Sequence, residues 1–296
     1  MITEADDLYH EPDDDPYWNE STWFSISMPD KGIEGYIYNW HRPNMGLCCV
    51  GPTFWDTETT TIEDALHHDV HWIQHIPEGE FMDAHYPGGL TIERVVPGRS
   101  FRFTYDFHGC AFDLTYTAFS DAHQFGNHFE QPGRMTGTLL LNGEDLAVDC
   151  WAMRDRSWGH RDLGVDTPSG DYLWGIASED EAFHVMSIWD GQQNRVITGY
   201  LLRDGEMVDL VSGRTWTEGR RRSLQADRIF IEAEDAKGRK LVAEGQNRNT
   251  MIWTMYPRMV CALGQTEWNT DSVAMWGEQQ QFWSSTVARD LLRKER

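Results

Sequence analysis

From about Trp23 onward the chain is built of short runs in which apolar and polar residues alternate, each bounded by Gly, Pro, Asn or Asp. In Phe101-Arg102-Phe103-Thr104-Tyr105-Asp106-Phe107, four aromatics alternate with polar residues, the period-two signature of a strand with one buried face. Comparable runs cover Ile33 to Trp40, Gly89 to Val95, Ser100 to Phe107 and Ala111 to Phe119. The second half repeats the rhythm at Tyr172 to Ala177, Phe183 to Trp189, Val196 to Leu202 and Arg228 to Glu234. Turn chemistry agrees with this pattern. Val96-Pro97-Gly98-Arg99 separates two runs, Asn142-Gly143 and Asp204-Gly205 are hairpin dipeptides between apolar stretches, and Glu234 to Arg239 is a further turn. An all-β chain of barrels or sandwiches is expected. Two helices are predicted beside the strands. One spans Thr61 to Gln74, opened by Thr60 or Thr61 with Glu63 and Asp64 in its first turn, and the other is the tail from about Ser285 to Arg296.

A chain of 296 residues has room for two domains. No Pro/Gly/Ser linker divides it, but the strand runs form two sets on either side of residue 150. The expected division is a loose acidic arm over 1–15, in which Tyr9 and His10 could tuck against the body, a first domain over 16–148 and a second over 149–296.

Composition narrows the partners. Hydrophobic residues at 40% and charged residues at 25% describe a folding chain. With 25 Lys and Arg against 48 Asp and Glu, the formal charge is 25 − 48 = −23. Such a surface repels phosphate backbones and anionic lipid, so neither nucleic acid nor a membrane is an expected partner. Oligomeric state is not legible. The supply of 14 Trp, 13 Phe and 10 Tyr is large; it either fills barrel interiors or walls a cavity for a flat, greasy ligand. Five cysteines without framework spacing, an acidic start with no basic-then-apolar leader and no long apolar run together lead us to expect a reduced, cytoplasmic protein.

The densest chemistry lies in Cys150-Trp151-Ala152-Met153-Arg154-Asp155-Arg156-Ser157-Trp158-Gly159-His160-Arg161-Asp162. Buried charges need partners and a solvated loop has no use for two Trp, so this stretch reads as an ionic network at a cavity wall. Asp155, between Arg154 and Arg156, is either a salt-bridge anchor or a carboxyl tuned by burial into an acid/base group.

The stretch from Trp151 through Asp155-Arg156-Ser157-Trp158-Gly159 resembles the Asp-His-x-Trp-Gly signature of the carotenoid 1,2-hydratase (hydroxyneurosporene synthase)-like superfamily. The segments Trp18 to Phe24 and Arg42 to Gly46 are similar to the opening of bacterial members of that group. The resemblance implies two lipocalin-like antiparallel β-barrel domains packed together, with few helices and a hydrophobic pocket where the signature lies. It also implies cofactor-free chemistry: hydration of isoprenoids or phytoalexins, or pericyclic cyclisation. The chain departs from the signature at Arg156, which stands in the His position and cannot carry protons. His160 is a possible stand-in, although it would point elsewhere on a strand.

Protonating an alkene needs a strong donor and a shielded cation. Asp155, His160 and Glu278 are the candidate catalytic groups, Glu278 being otherwise a surface carboxylate. Trp151, Trp158, Trp40, Trp276, Arg154 and Arg156 are candidate pocket residues, with His71 and His75. The run His67-His68-Asp69-Val70-His71-Trp72-Ile73-Gln74-His75 would align His67, His71 and His75 on one helical face. It reads as a solvated or core-edge helix, a polar pocket wall or, least, a zinc site, since His-Glu-x-x-His is absent. No metal and no cofactor are expected. Arg220-Arg221-Arg222 is an exposed basic loop or an anchor for a carboxylate. Phosphate-binding loops, dinucleotide fingerprints and nucleophile elbows are absent, which disfavours nucleotide-dependent transfer and α/β-hydrolase chemistry.

Three functions are therefore open. The first is a cofactor-independent lyase or isomerase acting on an apolar terpenoid, steroid or aromatic molecule. The others are a carrier of greasy ligands and a polyene cyclase.

Overall fold

The computed structural model describes residues 3–161, 169–219, 224, 226–256 and 258–294. It divides into two compact units. The first comprises residues 1–28, 34–55 and 66–161, and the second 29–33, 56–65 and 162–296.

The first unit holds thirteen strands in one antiparallel sheet. They are β1 (Trp18–Met28), β2 (Ile33–Arg42), β3 (Leu47–Trp55), β4 (His67–His68), β5 (His71–His75), β6 (Gly79–Glu80), β7 (Asp83–His85), β8 (Thr91–Val96), β9 (Ser100–Phe107), β10 (Cys110–Ala118), β11 (His123–Phe125), β12 (His128–Leu141) and β13 (Glu144–His160). The path across the sheet runs β4-β3-β2-β1-β13-β12-β10-β9-β8-β7-β6. The sheet curls around Phe24, whose ring meets Phe103 and Tyr116 edge-on at 4.7 and 5.1 Å. Phe101, Phe103, Leu114 and Tyr116 are all fully buried, as the alternation in β9 and β10 requires. Among the described residues no pairing joins β4 to β6, so this unit is a curled half-barrel.

The second unit holds β14 (Ser169–Ser178), β15 (Glu181–Trp189), β16 (Asn194–Arg203), β17 (Glu206–Glu218), β18 (Arg228–Asp235), β19 (Lys240–Asn247), β20 (Met251–Tyr256), β21 (Met259–Thr270) and β22 (Ala274–Ser284), then helix α1 (Ser285–Lys294). β19 pairs with β21 and β14 with β22, so eight strands close into a barrel with β20 outside the ring. Its interior is packed by Leu173, Phe183, Val185, Ile229, Ile231 and Trp268. Where β14 and β22 meet, Gly175 stands opposite Gly277. A Cβ on Gly277 would lie 2.0 Å from the carbonyl oxygen of Trp174, so only glycine allows this approach.

The all-β, two-barrel expectation holds, as do the Asn142-Gly143 and Asp204-Gly205 turns and the C-terminal helix. Three expectations need correcting. First, the boundary at 148/149 would cut β13 in its middle; the chain passes between units at 161/162, because β13 stays paired with β12 from Glu144 to Ser157. Second, Thr61 to Gln74 is not a helix. A 3-10 turn occupies Ile62–Asp64, and the histidine run pairs with β3 as β4 and β5. Third, the N-terminal arm is not loose: Glu4–Asp7 forms a 3-10 turn capped by Thr3, and Asp7 is buried. No described helix is long and apolar enough to cross a membrane. Asp162 and the Arg220-Arg221-Arg222 run lie outside the described residues.

Candidate functional site

β13 carries the signature, and because it is a strand its side chains divide between two faces. Arg154, Arg156 and Trp158 point to one side, Trp151, Asp155 and Ser157 to the other. The single ionic knot expected from the sequence is therefore two separate arrangements.

On the first face the guanidinium groups hold the N-terminal segment. Arg154 is fully buried, pairs with Asp7 at 2.7 Å and lies over the ring of Phe101 at 4.3 Å. Asp7 also accepts the backbone N–H of Gly98 at 2.6 Å. Arg156 donates to the carbonyls of Asp6, Leu8, Ser21 and Ser157 and to the Glu20 carboxylate. Those five acceptors use all five guanidinium donors, leaving none for a ligand. Burial alone would raise the Glu20 carboxyl, but the hydrogen bond from His10 and the Arg156 charge outweigh it and hold it below its ordinary range. His10 stacks on Trp158, and Trp158 also faces Arg156 at 5.6 Å. Arg154, Arg156 and Trp158 thus anchor the arm and are not free to line a pocket. Nearby, buried His41 is hydrogen-bonded by Tyr9 at 2.6 Å and Tyr86 at 3.2 Å. Burial, and then the Arg156 charge, push this imidazole down to about 3, so it is neutral.

The second face is acidic and aromatic. Asp155 stands directly between Glu130 of β12 and Trp23 of β1. Its Oδ1 accepts the Trp23 backbone N–H at 3.0 Å. His128, two residues before Glu130 and so on the same face, hydrogen-bonds Glu130 through Nε2. The donor atoms of His128, Glu130 and Asp155 all lie within 4.8 Å of one another, and this is the one such group among the described residues that could close on a metal ion. Burial, reinforced by the Glu130 charge and opposed by His128 and Arg161, raises the Asp155 carboxyl to about 7. His128 is itself lowered by burial. The raised Asp155 carboxyl, with a second carboxylate and an imidazole beside it, forms a coupled group that can share and pass a proton.

Aromatic rings flank the acid. Trp23 stacks on Tyr36 at 3.8 Å and meets Tyr38 edge-on, and Tyr38 in turn neighbours Trp40. Trp40 is fully buried and donates its indole N–H to Asn19. The indole N–H of Trp23 is buried with no acceptor among the described residues.

The other expected residues lie elsewhere. Trp151 shares the Asp155 face but sits farther along, under the Arg134 guanidinium at 4.8 Å and against Phe119. His160 is exposed at the strand end and pairs with Asp15 at 3.2 Å, which removes it from any shielded proton path. His75 is exposed, and the side chain of His71 lies outside the described residues. In the second unit Glu278 is buried, against the surface alternative, and accepts N–H bonds from Trp174 at 3.2 Å and Gln280 at 3.1 Å. It and partly buried Trp276 project from β22 on the side away from the barrel interior. Sequence reasoning missed His128, Glu130 and Trp23. The available signal was His-x-Glu on a strand, which becomes a site only once register sets it beside Asp155.

Comparison with solved structures bears out the all-β, two-barrel fold. Within it, the chain belongs to the family described as "Domain of unknown function (DUF7064)", whose model matches residues 3–277. Kievitone hydratase from Nectria haematococca is similar at 12% identity and a TM-score of 0.59, over 96% of this chain and 95% of that one. CghA, solved with Sch210972, is 13% identical with a TM-score of 0.59, over 91% and 89%. A protein described as an AttH from Nitrosomonas europaea is 13% identical with a TM-score of 0.60, over 91% and 93%. No curated protein sequence matches.

Proposed function

We propose that the chain is a cofactor-independent lyase that adds water to, or removes it from, an apolar small molecule of the terpenoid, steroid or aromatic class. The observation that carries this reading is the Asp155 carboxyl, raised to about 7 and set between Glu130 and Trp23. In hydration, protonated Asp155 gives its proton to one alkene carbon, and the Trp23, Tyr38 and Trp40 side supplies π-faces to the cation at the other. Water attacks that cation, and its lost proton returns to the Asp155 carboxylate directly or through His128. Dehydration is the reverse. The name of one structural neighbour, a hydratase, is in keeping with this chemistry.

The test is incubation with a panel of prenylated aromatics, terpenoid alkenes and sterols, read by mass spectrometry for gain or loss of one water. With a turned-over compound in hand, Asp155→Asn should lower turnover by about 10²-fold or more. Full activity in that variant would end the assignment of Asp155. Ligands that bind and return unchanged across the panel would favour a carrier. Ring formation without incorporation of solvent deuterium would favour a cyclase.

A further inference from the structure

The mouth of the closed barrel in the second unit is a separate feature. A cavity of about 620 Å³ opens there, within the size range of small-molecule sites. At its base Asp171 is buried, and the neutral donors around it are Ser187 at 2.9 Å, Asn194 at 2.7 Å, Thr215, and Gln281 at 2.9 Å. Three of these bonds go to Oδ2 and one to Oδ1, so Oδ1 keeps an open acceptor position. Among the described residues, Asp171 is the one charged residue lining the cavity.

A second observation points the same way. Gln281 gives its amide N–H to Asp171, while its Oε1, on a residue only 2% exposed, has no partner among the described residues. Two residues inward on the same face, the Gln279 amide is buried with neither its oxygen nor its nitrogen bonded. Buried polar atoms are seldom left unsatisfied, and unpaired ones mark where a ligand or water belongs. At the Asp171–Gln281 end the open positions are acceptors, so the missing group is a donor. Trp283, buried beneath the helix residues Val287 and Leu291, and Trp189 at the exposed rim give this donor apolar and π-bearing walls.

We infer that this barrel mouth binds a small organic cation, a primary or secondary ammonium carried on a flat or aliphatic body. The ammonium sits between Asp171 Oδ1 and Gln281 Oε1, where charge-assisted hydrogen bonds are strongest, and the body lies against the two indoles. The site is independent of the Asp155 chemistry.

The experiment uses the full chain and three indole probes of similar shape: tryptamine as the cation, 3-ethylindole as the neutral analogue and indole-3-propionate as the anion. Calorimetric titration should show tryptamine binding one-to-one, about tenfold or more tighter than 3-ethylindole, with indole-3-propionate weakest. Trp189→Ala, at the rim and safe for folding, should weaken tryptamine about tenfold. Gln281→Leu, checked for a native melt, should abolish the preference for the cation. Asp155→Asn should leave tryptamine binding unchanged. Equal binding of cation and neutral probe, no saturable binding, or loss of binding in Asp155→Asn would each overturn the proposal.

Discussion

His10 lies flat on Trp158, ring centroids 3.9 Å apart and planes inclined by 7°. This stack joins the N-terminal segment to β13, and it covers Arg156, the residue that stands where the signature β13 resembles has histidine. The guanidinium at this position therefore does structural work: it collects three carbonyls and a carboxylate from residues 6–21.

Arg156→Ala should destabilise the protein by about 3–5 kcal/mol, because Glu20 would stay buried without its cation. Arg156→Lys should recover only part of that, an ammonium having three donors where five are used. Chemical denaturation measures the loss, and limited proteolysis should show cleavage before residue 20. A variant with wild-type stability and an uncut arm would refute the anchoring role.

The Asp155 carboxyl sets a pH dependence whose sign is fixed. Its value in the folded chain is about 7 against an ordinary 3.8, so between these pH values the folded state holds a proton that the unfolded chain has released. Its stabilising contribution is complete below 3.8 and is lost as pH rises through about 7. Asp155→Asn should therefore gain stability relative to wild type as pH rises through neutrality. Any activity using the acid should fall over the same interval. Melting curves of the two proteins that stay parallel from acid to alkaline pH would contradict this.

All five cysteines are buried and unbridged. Burial pushes the thiols of Cys48, Cys110, Cys150 and Cys261 up to about 12 and raises that of Cys49 as well. Native protein at mildly alkaline pH should be inert to a thiol-specific chromogenic reagent, and denaturant should release all five groups. Rapid labelling without denaturant would show one of them to be accessible.

Gly277→Ala should disrupt the seam between β14 and β22, costing on the order of 1–3 kcal/mol or preventing folding, since the obstructing atom is backbone and cannot rotate away. Circular dichroism melts would report it. An unchanged melting temperature would show that the two strands can part without penalty.

Much of the fold was legible because strand period and turn chemistry are local. Phe101 to Phe107 needs no partner to reveal its buried face, and Asn142-Gly143 marks its own hairpin. The misreadings arose where local signals were ambiguous. His67, His71 and His75 have helical spacing, yet the strands there are short and owe their existence to pairing with β3. The site was legible in part. Asp155 stood out among its charged neighbours, but which charges face it depends on register, a non-local property. Asp7 and Glu20 are 147 and 136 residues from the arginines they neutralise, and nothing in either neighbourhood announces the other.

The alternation along β13 makes its two chemistries separable. Odd-numbered positions present the acid and its aromatic surroundings, while even-numbered positions clasp the leading segment. Substitutions that probe the proposed chemistry can be confined to the odd set and to Glu130 and His128 across the ladder without loosening the clasp. A slip of a single residue in this ladder would exchange the guanidinium pair for the carboxyl and defeat both arrangements together.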